Sequence, residues 1–111
     1  MPVRRNHADQ DMRALQHQSK AGNLTEMRYL LEVRRVPVDA FDKNSLTHAH
    51  TPAQMAAASG NGVEALKLLY EFNADFFVLS RTGMTLEAIA WKHKDFESYA
   101  FILEVKGALR T

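Results

Sequence analysis

Two copies of one spacing constrain this chain more than any other feature. Gly22-Asn23 stands eight residues before Leu30-Leu31, and Gly60-Asn61 stands eight residues before Leu68-Leu69. In each copy the glycine permits backbone angles that an L-residue resists, so the chain can reverse there. The asparagine, with a glutamate three residues on (Glu26 or Glu64), has the spacing of a helix N-cap. Leu24, Met27, Leu30 and Leu31 follow in the first copy, and Val63, Leu66, Leu69 and Tyr70 in the second. Their three- and four-residue intervals put each set on one helix face.

Each of these helices is the second member of a pair. Thr51-Pro52 opens a short Ala-rich segment ahead of Gly60: Thr51 is a cap residue, Pro52 fits the first helical position, and Gln54 completes capping-box spacing. Ala53, Ala56, Ala57 and Ala58 make this first helix slim, with Met55 its only long apolar side chain. Thr85 opens a third unit with Leu86, Ile89 and Ala90, and Phe96, Tyr99, Ile102 and Leu103 follow beyond a turn at Lys94-Asp95, where Asp95 can cap. In the first unit a weaker helical pattern begins at Met12, with Leu15 and Ser19 on its apolar side, after a polar segment at residues 1–9 that reads as flexible. Thr51 to Thr85 spans 34 residues and Gly22 to Gly60 spans 38, periods that signify stacked two-helix units.

The connections read differently. Val36-Pro37-Val38-Asp39 and Asp42-Lys43-Asn44 predict an extended segment and turn, and residues 73–84 form the corresponding connection, with Phe72, Phe76 and Phe77 packing beneath it. The 111-residue length predicts one domain, over residues 10–108, with units at about 10–38, 39–76 and 77–108. A formal charge of +1 gives no support to a strongly basic nucleic-acid binder. The absence of cysteine removes disulfides and thiolate metal sites and makes the reducing cell interior, the cytoplasm, the expected compartment. Arg4-Arg5 is followed by no apolar run of the secretory type, and no apolar segment is long enough to span a bilayer.

These motifs resemble the ankyrin-repeat family. Thr51-Pro52-Ala53-Gln54-Met55-Ala56-Ala57 is similar to its Thr-Pro-Leu-His-x-Ala-Ala signature; Gly22 to Leu31, Val63 to Asp75 and Gly83 to Ala90 continue the likeness over nearly the whole chain. Departures fall in the end units: Leu86 replaces the family's Pro, Lys94 its turn Gly, and His17-Gln18-Ser19 its apolar and Ala residues. Polar residues in a terminal unit are those of a cap. The first connection is about four residues longer than the pattern, which long surface loops tolerate. The resemblance implies an all-α solenoid of three helix-turn-helix repeats with projecting β-turn fingers. It further implies a non-enzymatic module, without cofactor and monomeric, that binds a partner protein on the concave face of fingers and first helices.

Carried over position by position, that face comprises Lys43, Asn44, His48, His50, Ala58, Ser59, Arg81, Thr82, Met84, Lys92 and His93, with Trp91 beside them. Trp91 stands where the family has Ala, and reads first as core filling under the third unit and second as an exposed anchor. Three other chemistries are weaker. His48 and His50 with Asp39 and Asp42 outline a metal site without a third definite ligand. Ser45-Leu46-Thr47-His48 offers a hydrolase only loop proximity. Arg4-Arg5 and Arg34-Arg35 are paired bases for a polyanion, though Arg34 and Arg35 also suit a helix C-terminus.

Overall fold

The computed structural model describes residues 4–42 and 50–110, with side chains over 9–42 and 50–108. Lys43, Asn44 and His48 of the expected binding face, and Ser45 to Thr47, lie outside the described residues. Among the described residues six helices account for the regular structure: α1 (Arg4–Ala21), α2 (Leu24–Glu32), α3 (Pro52–Ala57), α4 (Val63–Glu71), α5 (Leu86–Lys92) and α6 (Phe96–Arg110). Among the described residues there is no strand.

Most boundaries are set by short-range hydrogen bonds that the sequence announces. Thr51 Oγ1 accepts from the Gln54 N–H (3.3 Å) while Gln54 Oε1 accepts from the Thr51 N–H (2.8 Å), so the capping box is complete. Asn23 and Thr85 accept from the N–H groups of Glu26 and Ala88 in the same way. The first helix of each pair leads to one residue with left-handed backbone angles: Gly22 (φ 74), Gly60 (φ 84) and Lys94 (φ 59), separated by the two periods read above. Around Lys94 the Asp95 N–H donates to the Ala90 carbonyl (2.9 Å) and the Lys94 N–H to that of Trp91 (3.0 Å), a Schellman closure held without glycine. Arg35 (φ 58) and Asn73 (φ 67) hold a second matching pair of left-handed positions after α2 and α4.

The helices lie in two rows. In one, α3 touches α1 and α5; in the other, α4 touches α2 and α6; each pair α1/α2, α3/α4 and α5/α6 packs across the rows. The core fills the space between them: Leu15 from α1, Met27 and Leu30 from α2, Ala53, Ala56 and Ala57 from α3, Leu66 and Leu69 from α4, Leu86 and Ala90 from α5, and Ile102 from α6. The alanines explain the close row: one methyl apiece lets α3 be approached from both sides. Phe76 is fully buried and meets Tyr70 and Phe101 edge to face, at centroid separations of 5.8 and 6.0 Å. Phe72 packs partly against the core, whereas Phe77 is exposed and lies under Lys106, 5.0 Å from its ammonium nitrogen.

Four expectations are corrected. The helical pattern predicts a start at Met12, yet α1 begins at Arg4; no Pro, Gly or β-branched residue interrupts residues 4–11, so propensity extends the helix beyond its apolar stripe. Asn61 is not the cap of α4: the cap position falls on Gly62, whose N–H donates to Asp95 Oδ2 of the third pair at 2.8 Å. A Cβ on Gly62 would lie 2.0 Å from the Ala56 carbonyl oxygen, so close approach, not a positive φ, requires glycine there. On α4, Ala65 and Leu68 are buried with Leu66 and Leu69, while Tyr70 is 40% exposed, because this helix is packed by α2, α3 and α6 on more than one side. Trp91 does not fill the core: it is 57% exposed and rests on Phe96 and Tyr99, with ring centroids 5.0 Å away in both cases.

Polar side chains tie the pairs together and brace the third pair within itself. Gln16, buried on α1, donates to the His50 carbonyl (3.0 Å) at the entry to α3. Asp39 accepts from the Asp75 N–H (3.0 Å), joining the two connections; burial, with the nearby Asp75 charge adding, raises its pKa against the lowering effect of that bond. Arg28 on α2 bridges Glu32 and, on α4, Glu71. Lys106 on α6 reaches Glu87 on α5 at 2.8 Å, largely out of water; burial pushes the Glu87 carboxyl up, but the ammonium and neighbouring hydrogen bonds bring it below its ordinary value.

Candidate functional site

One cleft of about 250 Å³ opens between α3, α5 and the turn that precedes α5. Its lining comes from His50, Gln54, Met55 and Ala58 on the α3 side, Ser80, Thr82 and Met84 in the turn, and Ile89, Lys92 and His93 on the α5 side.

Each wall is held by local chemistry. On the α3 side the capping box fixes Gln54, and the single long apolar side chain of that slim helix, Met55, projects into a space that its alanines leave open. The turn is a tight finger closed by Ser80. The Ser80 N–H donates to the Met84 carbonyl (3.0 Å), and Ser80 Oγ accepts from the N–H groups of Met84 (3.0 Å) and Thr82 (3.3 Å). Gly83, at φ +84, supplies the reversal that sets Met84 against the helices. On α5, Nδ1 of His93 lies 3.0 Å from the Ile89 carbonyl oxygen; with Nδ1 engaged there as donor, Nε2 is the ring nitrogen left for a ligand. The floor is made by Met55, Met84, Ala58 and Ile89 and is apolar; the rim carries the hydroxyl of Thr82, two imidazoles and the Lys92 ammonium.

Of the residues expected on the binding face, His50, Thr82, Met84, Lys92 and His93 converge on this cleft, as does Ala58. Arg81 is exposed in the finger between Ser80 and Thr82. Ser59 does not line it: its hydroxyl donates to the Ala56 carbonyl (2.7 Å) and accepts from the Asn61 N–H (3.1 Å), which shapes the turn before α4. Trp91 lies outside it, in the exposed cluster with Phe96 and Tyr99.

Sequence reasoning passed over Gln54, Met55, Ser80 and Ile89 as site residues. Met55 carried a signal, since it is the one long apolar side chain of a helix otherwise built from alanine. Ser80 carried a weaker one, as the only Ser in a finger that closes on itself.

Among the described residues no three His, Asp or Glu side chains gather as a metal-binding group. Arg34, one of the bases considered for a polyanion, is paired with Asp11 at 3.0 Å. Among the described residues no helix is long and apolar enough to cross a membrane. No protein-family model matches the chain, and no curated protein matches it.

Proposed function

We propose that this chain is an ankyrin-type solenoid of three helix pairs with projecting finger turns, and that it works as a non-enzymatic module holding another protein in the cleft between α3, α5 and the Ser80–Met84 finger. The recurring left-handed turn residues at Gly22, Gly60 and Lys94 and the two rows of helices support the architecture. The observation that carries the function is the convergence of His50, Thr82, Met84, Lys92 and His93, from the entry to α3, the finger and the end of α5, on one largely apolar cleft. An apolar floor with a polar rim is the anatomy of a small protein-binding surface, where a few anchors supply most of the affinity. At about 250 Å³ the cleft lies below the roughly 300–1,000 Å³ of sites that engulf a small molecule, and suits one or two side chains of a partner. The cysteine-free sequence fits a chain working in the reducing interior of the cell.

The test is capture of a partner from native lysate by the intact chain and by variants of the finger. Arg81→Glu, on an exposed residue, leaves the melting temperature nearly unchanged and weakens capture. Met84→Ala weakens it too, at the cost of only a small drop in melting temperature, because Met84 is partly exposed at the core's edge. Unfolding by either change, or full capture by both, refutes this assignment of the binding face.

A further inference from the structure

The left-handed residues Gly22, Gly60 and Lys94 put the three helix pairs in register, so one position can be compared across all of them. Three residues before each stand Ser19, Ala57 and Trp91. Ser19 and Ala57 are fully buried, whereas Trp91 is 57% exposed. Nine residues after each stand Leu31, Leu69 and Leu103; the first two are buried and Leu103 is 42% exposed. Five residues after, Met27 and Ala65 are buried and Tyr99 only partly so.

The difference follows from what each pair has beside it. Among the described residues no helix pair precedes the first and none follows the third. A neighbour within the pair would cover all three positions, and a preceding pair could not cover the first. What is buried in the first two pairs alone is therefore the face that a following pair covers. In the third pair Trp91, Tyr99 and Leu103 hold that face open to water, and Phe96, 54% exposed, extends it 5.0 Å from the Trp91 ring. An end unit of a stacked array ordinarily turns a polar face outward. The first pair does so: α1 leaves Gln10, Arg13, His17 and Lys20 to solvent at three- and four-residue spacing. The third pair does not.

We infer that this aromatic end face is closed by the same face of a second copy of the chain, in a two-fold dimer. The inference goes beyond the protein-binding reading, stands without it, and replaces the monomer that the family resemblance implies. The polar stripe on α1 offers no apolar seat, so the face meets its own kind instead of the far end of another copy, and the assembly stops at two. The bordering charges are balanced. Lys92 and Lys94 are exposed beside Trp91, Glu97 and Glu104 beside Phe96 and Leu103, and none of the four belongs to an ion pair among the described residues. Two such borders meet without net repulsion. Trp91, Phe96 and Leu103 leave roughly 300 Å² of apolar surface in water. Doubled, and with its polar border, the contact comes near the roughly 1,000–1,200 Å² at which weak specific interfaces begin, so the dimer is reversible.

Trp91 is the chain's one tryptophan, so its fluorescence reports this contact directly. Sedimentation equilibrium of the intact chain from about 1 μM to about 1 mM, with emission read on the same samples, is the test. The mass should rise from one copy to two, and the Trp91 emission should move to shorter wavelength over the same concentrations. Trp91→Lys, at an exposed position, should leave the helical circular dichroism of the dilute chain unchanged and raise the dissociation constant about tenfold or more. Leu103→Glu should do the same, and decides by the same mass readout if Trp91→Lys disturbs the dilute chain. One copy at every concentration overturns the dimer, and growth beyond two copies overturns its closure. A doubled mass with the emission unmoved, or one that survives both changes, overturns the assignment of the face.

Discussion

Asp95 joins the second and third helix pairs, and removing its carboxylate tests how far the array depends on that joint. The side chain is 5% exposed and accepts three hydrogen bonds: from the Ser98 N–H (3.1 Å), the Ser98 hydroxyl (2.6 Å) and, across 33 residues of sequence, the Gly62 N–H (2.8 Å). Asp95→Ala deletes the N-cap of α6, a loss of about 1 kcal/mol. It also strands the buried Gly62 N–H, which costs about 1–3 kcal/mol more. The sum, about 2–4 kcal/mol, is a large part of the roughly 5–15 kcal/mol that stabilises a small domain. Urea denaturation should show it as a lower midpoint with an unchanged slope. Asp95→Asn, still a good cap, should recover only the capping part, about 1 kcal/mol.

The same residue has a pH signature. Burial raises its pKa, but the bonds from Gly62 and Ser98 outweigh that and hold the carboxyl below its ordinary value in the folded chain. A folded-state pKa below the unfolded one means stabilisation that is complete above the usual carboxylate range and is lost as pH falls through the folded value. The stability difference between the native chain and Asp95→Asn should therefore shrink steadily below about pH 4. Taking that difference removes the contributions of Glu87, which has the same sign, and of Asp39, whose raised pKa has the opposite sign. A loss under about 1 kcal/mol on Asp95→Ala, or a difference that does not change with pH, would refute the joint.

Three further changes probe the same frame by denaturation. Leu69→Ala opens a cavity at a fully buried position between the rows and should cost about 2–5 kcal/mol; a loss below 1 kcal/mol would mean the rows are not packed as described. Gly62→Ala places a methyl against the Ala56 carbonyl and should cost about 1–3 kcal/mol or more. Because it disturbs the donor that Asp95 binds, the double change with Asp95→Ala should cost measurably less than the two singles added. Lys94→Gly relieves a left-handed residue with a side chain and should stabilise the chain by up to about 1 kcal/mol, read as a higher midpoint; a fall instead would show that the Lys94 side chain is part of the fold.

What the sequence determined is what lies within one turn of a helix. The caps at Asn23, Thr51 and Thr85, the box closed by Gln54 and the reversals at Gly22 and Gly60 are bonds and angles between near neighbours, so residue identity and spacing suffice. His50, Thr82, Met84, Lys92 and His93, which the resemblance to ankyrin repeats implies for a binding face, line the cleft, whereas the Gln54, Met55, Ser80 and Ile89 that complete it were not expected there.

Tertiary structure decided the rest, wherever the partner of a group lies in another helix pair. Asn61 has the spacing of a cap, but Gly62 against Ala56 and the Asp95 carboxylate took that position. Gln16 is polar, yet it is buried, because the His50 carbonyl across 34 residues accepts its hydrogen bond. Tyr70 carries the period of a core residue and Trp91 the bulk of one, yet they are 40% and 57% exposed, because burial is allotted by what packs above them. Periodicity gives each helix a face, and only its neighbours decide how wide that face is.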